Sequence, residues 1–402
     1  MSKVYVVSAK RTALGSFLGS LKSVSDGDLG AAVIKAVLAE TKLDPKHIDE
    51  IIMGNILPAG QGQGIARQAS IKAGVPVSVP AYGVNMVCGS GMKSVMLGFT
   101  SIKAGLYNVV LAGGIENMSA TPYLVPKEVR TGVKMGPLTM NDHMLTDALW
   151  DAFDGQHMGV TAENIATKYK ISREAQEAFA VVSQQRAIKA VDSGEFKDEI
   201  VPLTIKVGKE EMVFENDEFP NRKTDAAKLA SLRPAFVKEG TVTAGTSSGI
   251  NDGASVILLA SEEAVAKYSL VPLVELVGIG QGGVEPSLMG LGPTPAIRQA
   301  LKHAGLKIDQ IDLFELNEAF AAQALGVVHE LAEEHHVSEE SILNKTNPNG
   351  GAIALGHPVG ASGNRIIVTL VHEMLKRDLT YGLASLCIGG GMGTAVIFKK
   401  LK

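Results

Sequence analysis

The chain has 402 residues, of which 46% are hydrophobic and 20% charged, so it is long enough for two or three domains and too apolar to be disordered. Its 38 basic and 42 acidic residues give a net charge of −4, which excludes the broad positive field that nucleic acid or an anionic membrane requires. Its apolar runs are too short for a bilayer span or a signal-peptide core, so we expect a cytoplasmic protein that binds neither nucleic acid nor membrane.

Short apolar strands alternate with helical patterns along the chain, which is typical of βα units and a largely parallel sheet. In chain order the patterns predict a strand at residues 4–9, a helix at 29–41, strands at 48–55 and 107–114, a helix at 173–192, strands at 254–260 and 274–280, a helix at 295–304, and strands at 308–315, 381–390 and 394–398.

The same order of elements occurs twice. The strand, helix and strand that open the chain have equivalents from residue 274 onward, and the strand at 107–114 has its equivalent at 381–390. The closing strand of the first copy comes only after an interruption that is richer in charge and turn residues. We interpret the chain as an α/β protein of two homologous halves, residues 1–120 plus 248–271 and residues 272–402, with an inserted loop domain at residues 121–247.

Cys88 and Cys387 are the two cysteines of the chain, so the sequence has neither a disulfide framework nor a Cys-x-x-Cys metal pair. The segment Asn-Met-Val-Cys-Gly-Ser-Gly at residues 85–91 places Cys88 after a strand and at the start of a helix. The positive end of a helix dipole lowers the pKa of a thiol, and the glycines leave room for a substrate. We therefore interpret Cys88 as a candidate nucleophile, with an inert buried cysteine as the alternative.

His357 lies in the segment Gly-His-Pro-Val-Gly-Ala-Ser-Gly at residues 356–363, in the strand-to-helix loop equivalent to that of Cys88. A histidine there is suited to take the proton of the thiol. The duplicated architecture predicts that both loops meet at the carboxyl edge of the sheets, which favours a working pair over an ordinary hydrogen-bonded loop histidine.

Two further motifs carry polar or reactive groups at strand ends. Cys387 begins the segment Cys-Ile-Gly-Gly-Gly-Met-Gly, which leads into a strand and therefore predicts a turn with backbone N–H donors, an oxyanion site, and not a dinucleotide loop. Asn317 begins the segment Asn-Glu-Ala-Phe where a strand gives way to a helix, and a plain helix cap is the alternative for it. The histidines at residues 329–336 lack zinc-ligand spacing, so we predict no metal site.

Together, these four motifs resemble those of the thiolase family over essentially the whole chain. The resemblance implies duplicated βαβαβαββ halves that form a layered α-β-α-β-α core with an inserted loop domain. It implies that Cys88 is acylated by an acyl-CoA, that His357 activates it, and that Cys387 moves the protons of the leaving group and of the second acyl-CoA. Asn317, through a water molecule, and His357 would form one oxyanion site, and the backbone N–H groups of Cys88 and Gly389 the other.

The segment Gln-His-Met-Gly at residues 156–159 is similar to the short-chain, biosynthetic branch of this family. The resemblance implies an acyl pocket and a CoA site formed by seven further residues, namely His157, Met158, Met289 and Phe320 around the acyl group and Ser248, Phe236 and Arg222 on CoA. The chain departs from the family pattern at Met86 and Val87, which replace Gln and Leu, and at Arg222, which is shifted by one place.

The resemblance implies the activity of an acetyl-CoA C-acetyltransferase, which condenses two acetyl-CoA molecules to acetoacetyl-CoA and CoA without a metal or organic cofactor. It also implies a homotetramer, a dimer of dimers formed through the loop at residues 122–145. A degradative 3-ketoacyl-CoA thiolase of broader chain length remains an alternative. A ketoacyl synthase-like enzyme, which has a histidine in place of Cys387, and a non-catalytic CoA-binding protein are two others.

Overall fold

The computed structural model describes residues 3–401. Its strands are β1 (Val4–Thr12), β2 (Gly15–Ser16), β3 (Glu50–Gly54), β4 (Ala81–Val84), β5 (Val109–Asn117), β6 (Tyr123–Leu124), β7 (Asn141–Asp142), β8 (Ile200–Val201), β9 (Leu203–Val207), β10 (Glu210–Phe214), β11 (Asn251–Ser261), β12 (Val274–Gly283), β13 (Leu313–Leu316), β14 (Tyr381–Ile388) and β15 (Met392–Lys400). Its α-helices are α1 (Asp26–Thr41), α2 (Ile65–Lys72), α3 (Ser90–Lys103), α4 (Met158–Tyr169), α5 (Arg173–Ser193), α6 (Ala226–Ala230), α7 (Glu262–Tyr268), α8 (Pro293–Ala304), α9 (Ala321–His335), α10 (Glu339–Leu343), α11 (Ala352–Leu355) and α12 (Val359–Lys376). Within residues 3–401 no helix combines the length and the apolar character that a bilayer crossing requires.

The two halves share one strand order and one set of strand directions. In the first half β1, β11, β5, β3 and β4 follow each other across the sheet; the first two pairings are antiparallel and the last two parallel. In the second half β12, β15, β14 and β13 repeat this order and these directions, and a parallel bridge between Phe314 and Thr346 stands where the fifth strand would be. The predicted duplication is therefore confirmed.

Helices α3 and α12 form the middle layer between the two half-sheets. Val95 of α3 and Val371 of α12 lie in one buried cluster with Ile257 of the first half-sheet and Leu386 of the second. Helices α1 and α2 cover the outer face of the first half-sheet, and α8 and α9 cover that of the second. Burying each large side chain in such a cluster contributes about 1.5–3 kcal/mol. The predicted α-β-α-β-α layers are confirmed.

Two glycines allow the middle helices to touch near their amino termini. A Cβ atom on Gly91 would lie 2.9 Å from the backbone nitrogen of Asn364, and one on Gly363 would lie 2.6 Å from that of Met92. Any larger residue would push the helices apart. The loops that precede α3 and α12 are therefore neighbours, and these loops carry Cys88 and His357.

The insertion in the first half lies between the end of β5 and the start of β11, an interval that contains the predicted boundaries at residues 121–247. It holds the β6–β7 ribbon, helices α4 to α6 and the β9–β10 hairpin. Helix α4 and the segment between α6 and β11 reach the site described next.

Candidate active site

Cys88 lies in a sharp turn between β4 and α3. Val87, which precedes it, has a φ of 46°, a left-handed conformation that is rare for a β-branched residue and typical of functional sites. The Ser90 hydroxyl holds the turn because it donates to the carbonyl of Val87 at 2.6 Å and accepts from the N–H of Met86 at 2.8 Å. Cys88 is thereby presented at the amino terminus of α3, as predicted.

The surroundings of the Cys88 thiol are largely apolar, and it packs against the buried cluster that contains Leu57, Met144 and Val359. Burial raises the pKa of Cys88 to about 11, although its own N–H and that of Gly389 hydrogen-bond to the sulfur and act in the opposite direction. The expectation of a lowered pKa is therefore wrong, because desolvation of the thiolate outweighs the helix terminus. The resting nucleophile is a neutral thiol that needs a base.

His357 supplies a base with a defined tautomer. Its Nδ1 lies 2.6 Å from the Ser362 hydroxyl, which itself donates to the carbonyl of Pro358 at 2.9 Å. Because the hydroxyl proton is committed to Pro358, Nδ1 carries a proton and Nε2 carries the free lone pair. Burial, with a smaller effect of the Arg365 charge, lowers the pKa of His357 to about 3, so the imidazole is neutral and ready to accept a proton.

The backbone of His357 is fixed from the other half of the chain. Its N–H donates to Oδ1 of Asn251 at 3.0 Å, and Nδ2 of Asn251 donates to the carbonyl of Gly15 at 2.9 Å. Gly356 has a φ of 107°, and a Cβ atom there would lie 2.3 Å from the Asn251 amide carbon. Asn251 thus fixes the start of the loop that carries His357. The sequence carries no local signal for this role.

Asn317 faces the same imidazole. Its Nδ2 donates to Nε2 of His357 at a long 3.4 Å, and its Oδ1 is buried without a protein partner. The following helix begins only at Ala321, so the alternative interpretation of Asn317 as a helix cap is excluded. The geometry leaves one amide oxygen of Asn317 able to hold a water molecule beside the base.

Cys387 lies near the end of β14, at the opposite side of the site. It is 1% exposed and shares a buried cluster with Met158, Met289 and Phe320, which are three of the predicted acyl-pocket residues. Burial, with the neighbouring Cys88 as a second cause, strongly raises the pKa of the Cys387 thiol. The two cysteines are thus close enough to influence each other and are both protonated at rest.

The glycine turn after Cys387 brings the two thiol loops together. A Cβ atom on Gly389 would lie 3.4 Å from Val87 and 3.6 Å from Met158, so this residue sits between the nucleophile turn and the acyl pocket. Gly391 has a φ of 82°, and a Cβ atom added at this residue would lie 2.2 Å from the carbonyl oxygen of Val284. Only glycine fits at this position.

The predicted CoA residues divide into two groups. Phe236 stacks on His157 with ring centroids 4.8 Å apart, and it meets Phe320 edge to face at 5.9 Å. Ser248 donates its backbone N–H to the carbonyl of the residue before Phe320, so it adjoins this aromatic group. Arg222 instead makes an exposed, two-point ion pair with Asp192 at the end of α5.

Comparisons with known proteins show the family of the chain. The chain matches the family models for the N-terminal domain of thiolase over residues 4–263 and the C-terminal domain over residues 270–400. It is 51% identical to the acetyl-CoA acetyltransferase of Escherichia coli over 401 residues, and the match covers 100% of both chains.

Two solved structures superimpose on the full chain. The acetyl-CoA acetyltransferase from Syntrophomonas wolfei does so with a TM-score of 0.96 at 43% identity, with 100% of both chains covered. The human mitochondrial 3-ketoacyl-CoA thiolase in complex with CoA gives a TM-score of 0.93 at 43% identity, with 100% of this chain and 98% of that chain covered. The chain therefore belongs to the thiolase family and is an acyltransferase.

Proposed function

We propose that this protein is an acetyl-CoA acetyltransferase that condenses two acetyl-CoA molecules to acetoacetyl-CoA and CoA and also catalyses the reverse thiolysis. The observation that carries this proposal is a protonated Cys88 thiol that packs against the cluster containing Val359, two residues after a neutral His357. The Nε2 atom of His357 is unprotonated and accepts only a long contact from Asn317. The names of the full-length relatives support the same activity.

In the first half-reaction the sulfur of Cys88 attacks the thioester carbonyl while Nε2 of His357 takes the thiol proton. The bond between the carbonyl and the CoA sulfur breaks, and Cys387 gives its proton to the departing CoA thiolate. The products are acetyl-Cys88, protonated His357, a Cys387 thiolate and free CoA. The high thiol pKa of Cys387 makes it a strong base once it has lost its proton.

In the second half-reaction the Cys387 thiolate removes an α-proton from the second acetyl-CoA. The resulting enolate carbon attacks the acetyl group, and Cys88 leaves and recovers its proton from His357. The backbone N–H groups of Cys88 and Gly389, which both approach the Cys88 sulfur, are suited to hold one developing oxyanion. Asn317, through a water on its unpartnered Oδ1, and His357 are suited to hold the other. Each such donor is worth about 3 kcal/mol in the barrier.

The pocket walls support a short acyl group. Met158, Met289 and Phe320 close around Cys387, and the stacked rings of Phe236 and His157 border them. A degradative 3-ketoacyl-CoA thiolase is the second candidate, because the human enzyme of that name superimposes over the whole chain. We assign CoA contacts to Ser248 and Phe236, and Arg222 would have to leave Asp192 to reach a phosphate.

Thiolysis of 3-ketoacyl-CoA substrates of increasing chain length decides between these candidates. Activity confined to acetoacetyl-CoA and its nearest relatives supports the acetyltransferase, and a strong preference for long chains supports the second candidate. The reaction uses two thiols, an imidazole and N–H donors, so we also propose that it needs no cofactor and that activity survives dialysis against a chelator.

We further propose that the protein acts in the cytoplasm as a homotetramer. The segment at residues 122–145 is an excursion around the β6–β7 ribbon with exposed apolar side chains, among them Tyr123, Val125, Met135, Leu138 and Met140. Patches of this kind are usually covered by a partner. Light scattering on the purified protein should give four times the 42.2 kDa chain mass, and a variant with a shortened loop should give a dimer.

A further inference from the structure

Glu116, at the carboxyl end of β5, is fully buried and joins two other segments of the chain to this strand. Its Oε2 accepts hydrogen bonds from the backbone N–H groups of Ile56 at 3.0 Å and Gly360 at 2.9 Å. Its Oε1 accepts from the N–H of Leu57 at 3.1 Å and from the side-chain amide of Asn55 at 3.0 Å. Four donors and no acceptor surround this carboxylate, an arrangement that matches its ionised form.

The two segments lie beside the loops that carry Cys88 and His357. Gly360 belongs to the first turn of α12, three residues after His357, and a Cβ atom there would lie 2.4 Å from the Glu116 carboxylate. Ile56 and Leu57 lie in the apolar cluster against which Cys88 packs. Glu116 therefore connects the apolar cluster beside the nucleophile, in the first half, to the start of the helix that follows the base, in the second half.

The charge of Glu116 also reaches the nucleophile. Glu116 adds to the burial that raises the pKa of Cys88. The titratable group that faces Glu116 from α1 is Asp26, which shares the Asn55 amide with it at 2.9 Å, and Asp252 of β11 faces Asp26 in turn. Burial and Asp26 raise the pKa of Glu116, and the hydrogen bonds from the N–H groups of Leu57, Ile56 and Gly360 act in the opposite direction.

We propose that Glu116 is a positioning residue that keeps the Cys88 pocket and the start of α12, which follows His357, in register during acetyl transfer. This inference rests on the proposed function, because it assigns Glu116 to the acetyl-transfer step. It predicts that the loss of this geometry lowers the rate of acetyl transfer and leaves the KM for acetyl-CoA almost unchanged.

The test compares Glu116→Gln, Glu116→Asp and a control variant, Glu50→Gln. Glu50 is a buried carboxylate at the other end of the same half-sheet, paired with Val110 of β5. Each variant is checked by circular dichroism, by the rate of acetyl transfer from acetyl-CoA to Cys88, and by the pH dependence of Cys88 alkylation with iodoacetamide.

Glu116→Gln removes the charge and turns an NH2 group toward two N–H donors. We expect alkylation at pH 7 to stay at or above the wild-type rate, because removal of a negative charge does not disfavour the thiolate. We expect acetyl transfer to fall about 100-fold, with a KM for acetyl-CoA within about 3-fold of wild type. Glu116→Asp should keep the wild-type alkylation profile yet lose acetyl transfer, because its shorter carboxylate no longer reaches both segments. Glu50→Gln should change neither.

Wild-type acetyl transfer in Glu116→Gln, or a fall in alkylation together with transfer, would overturn the proposal. If Glu116→Gln does not fold, Glu116→Asp decides, and wild-type transfer in that variant would also overturn it. A wild-type enzyme that never acetylates Cys88 would instead refute the proposed function.

Discussion

Nδ1 of His357 lies 2.6 Å from the hydroxyl of Ser362, and this contact determines which imidazole nitrogen acts as the base. The hydroxyl is itself a donor to Pro358, so it accepts the Nδ1 proton and leaves the Nε2 lone pair facing the site. One hydroxyl within the first turn of α12 thus sets the tautomer of a residue in the loop before it.

Replacing Ser362 with alanine should reduce kcat for acetyl transfer by about 10- to 100-fold and leave KM within a few fold, because the base loses the acceptor that fixes its tautomer. The rate of Cys88 acetylation, measured by stopped flow, tests this expected fall in kcat. Ser70→Ala is a matched control, since Ser70 is an equally buried serine whose hydroxyl has no partner. Wild-type kcat in Ser362→Ala would show that Asn317 alone orients the ring.

The neutral thiol and neutral imidazole give a defined pH dependence. Because burial raises the pKa of Cys88 to about 11, only the small thiolate fraction reacts with iodoacetamide at neutral pH. The alkylation rate should rise about tenfold per pH unit between about pH 7 and pH 10. A plateau already present at pH 7 would mean that the resting pair is a thiolate with an imidazolium.

Substitution of each thiol should separate the two half-reactions. Cys88→Ala should abolish both covalent acetylation and turnover, since the acyl carrier is gone. Cys387→Ala should still acetylate Cys88, at a reduced rate, but should lose exchange of the α-protons of acetyl-CoA with deuterated water. Peptide mapping locates the acetyl group on Cys88, and mass spectrometry measures the exchange of the α-protons of acetyl-CoA. Wild-type exchange in Cys387→Ala would show that another group is the base.

Asp26 should make stability depend on pH in an unusual direction. Burial raises its pKa to about 6 from 3.8, so the folded state disfavours its charged form, and the cost accumulates as the pH rises from about 4 to about 6. An Asp26→Asn variant avoids this cost, because an amide does not ionise. Relative to wild type, the free energy of unfolding of Asp26→Asn should increase by about 2–3 kcal/mol between pH 4 and pH 7, measured by urea denaturation. A difference that is independent of pH would place the Asp26 pKa near its ordinary value.

The sequence predicts the residues that lie at the ends of regular elements, because a repeated order of strands and helices places those ends at one edge. Cys88, His357, Cys387 and Asn317 are of this kind. Asn317 contacts His357, and the N–H of Gly389, in the turn after Cys387, hydrogen-bonds to the sulfur of Cys88. Ser90 and Ser362 fall inside the same motifs, but their hydrogen bonds depend on turn geometry that spacing does not reveal.

Long-range contacts and burial account for what could not be predicted. Asn251 holds the backbone of a residue 106 positions away, and no local pattern indicates such a pair. The sign of the Cys88 pKa shift depends on how completely apolar neighbours exclude water from the thiol. The sequence pattern of a helix start does not indicate this burial. The assignment of Arg222 to CoA rests on resemblance alone. Its ion pair with Asp192 depends on the position of Arg222 within the turn before α6.

The contact of Gly91 with the α12 backbone joins two halves that supply different reactive groups. One copy contributes the nucleophile and the other contributes the base, so neither copy by itself is a smaller version of the enzyme. Mutations that tilt one middle helix therefore alter both reactive groups at once. Catalysis by this fold therefore depends on the interface between its two halves. The turnover rate measures how accurately the two halves pack against each other.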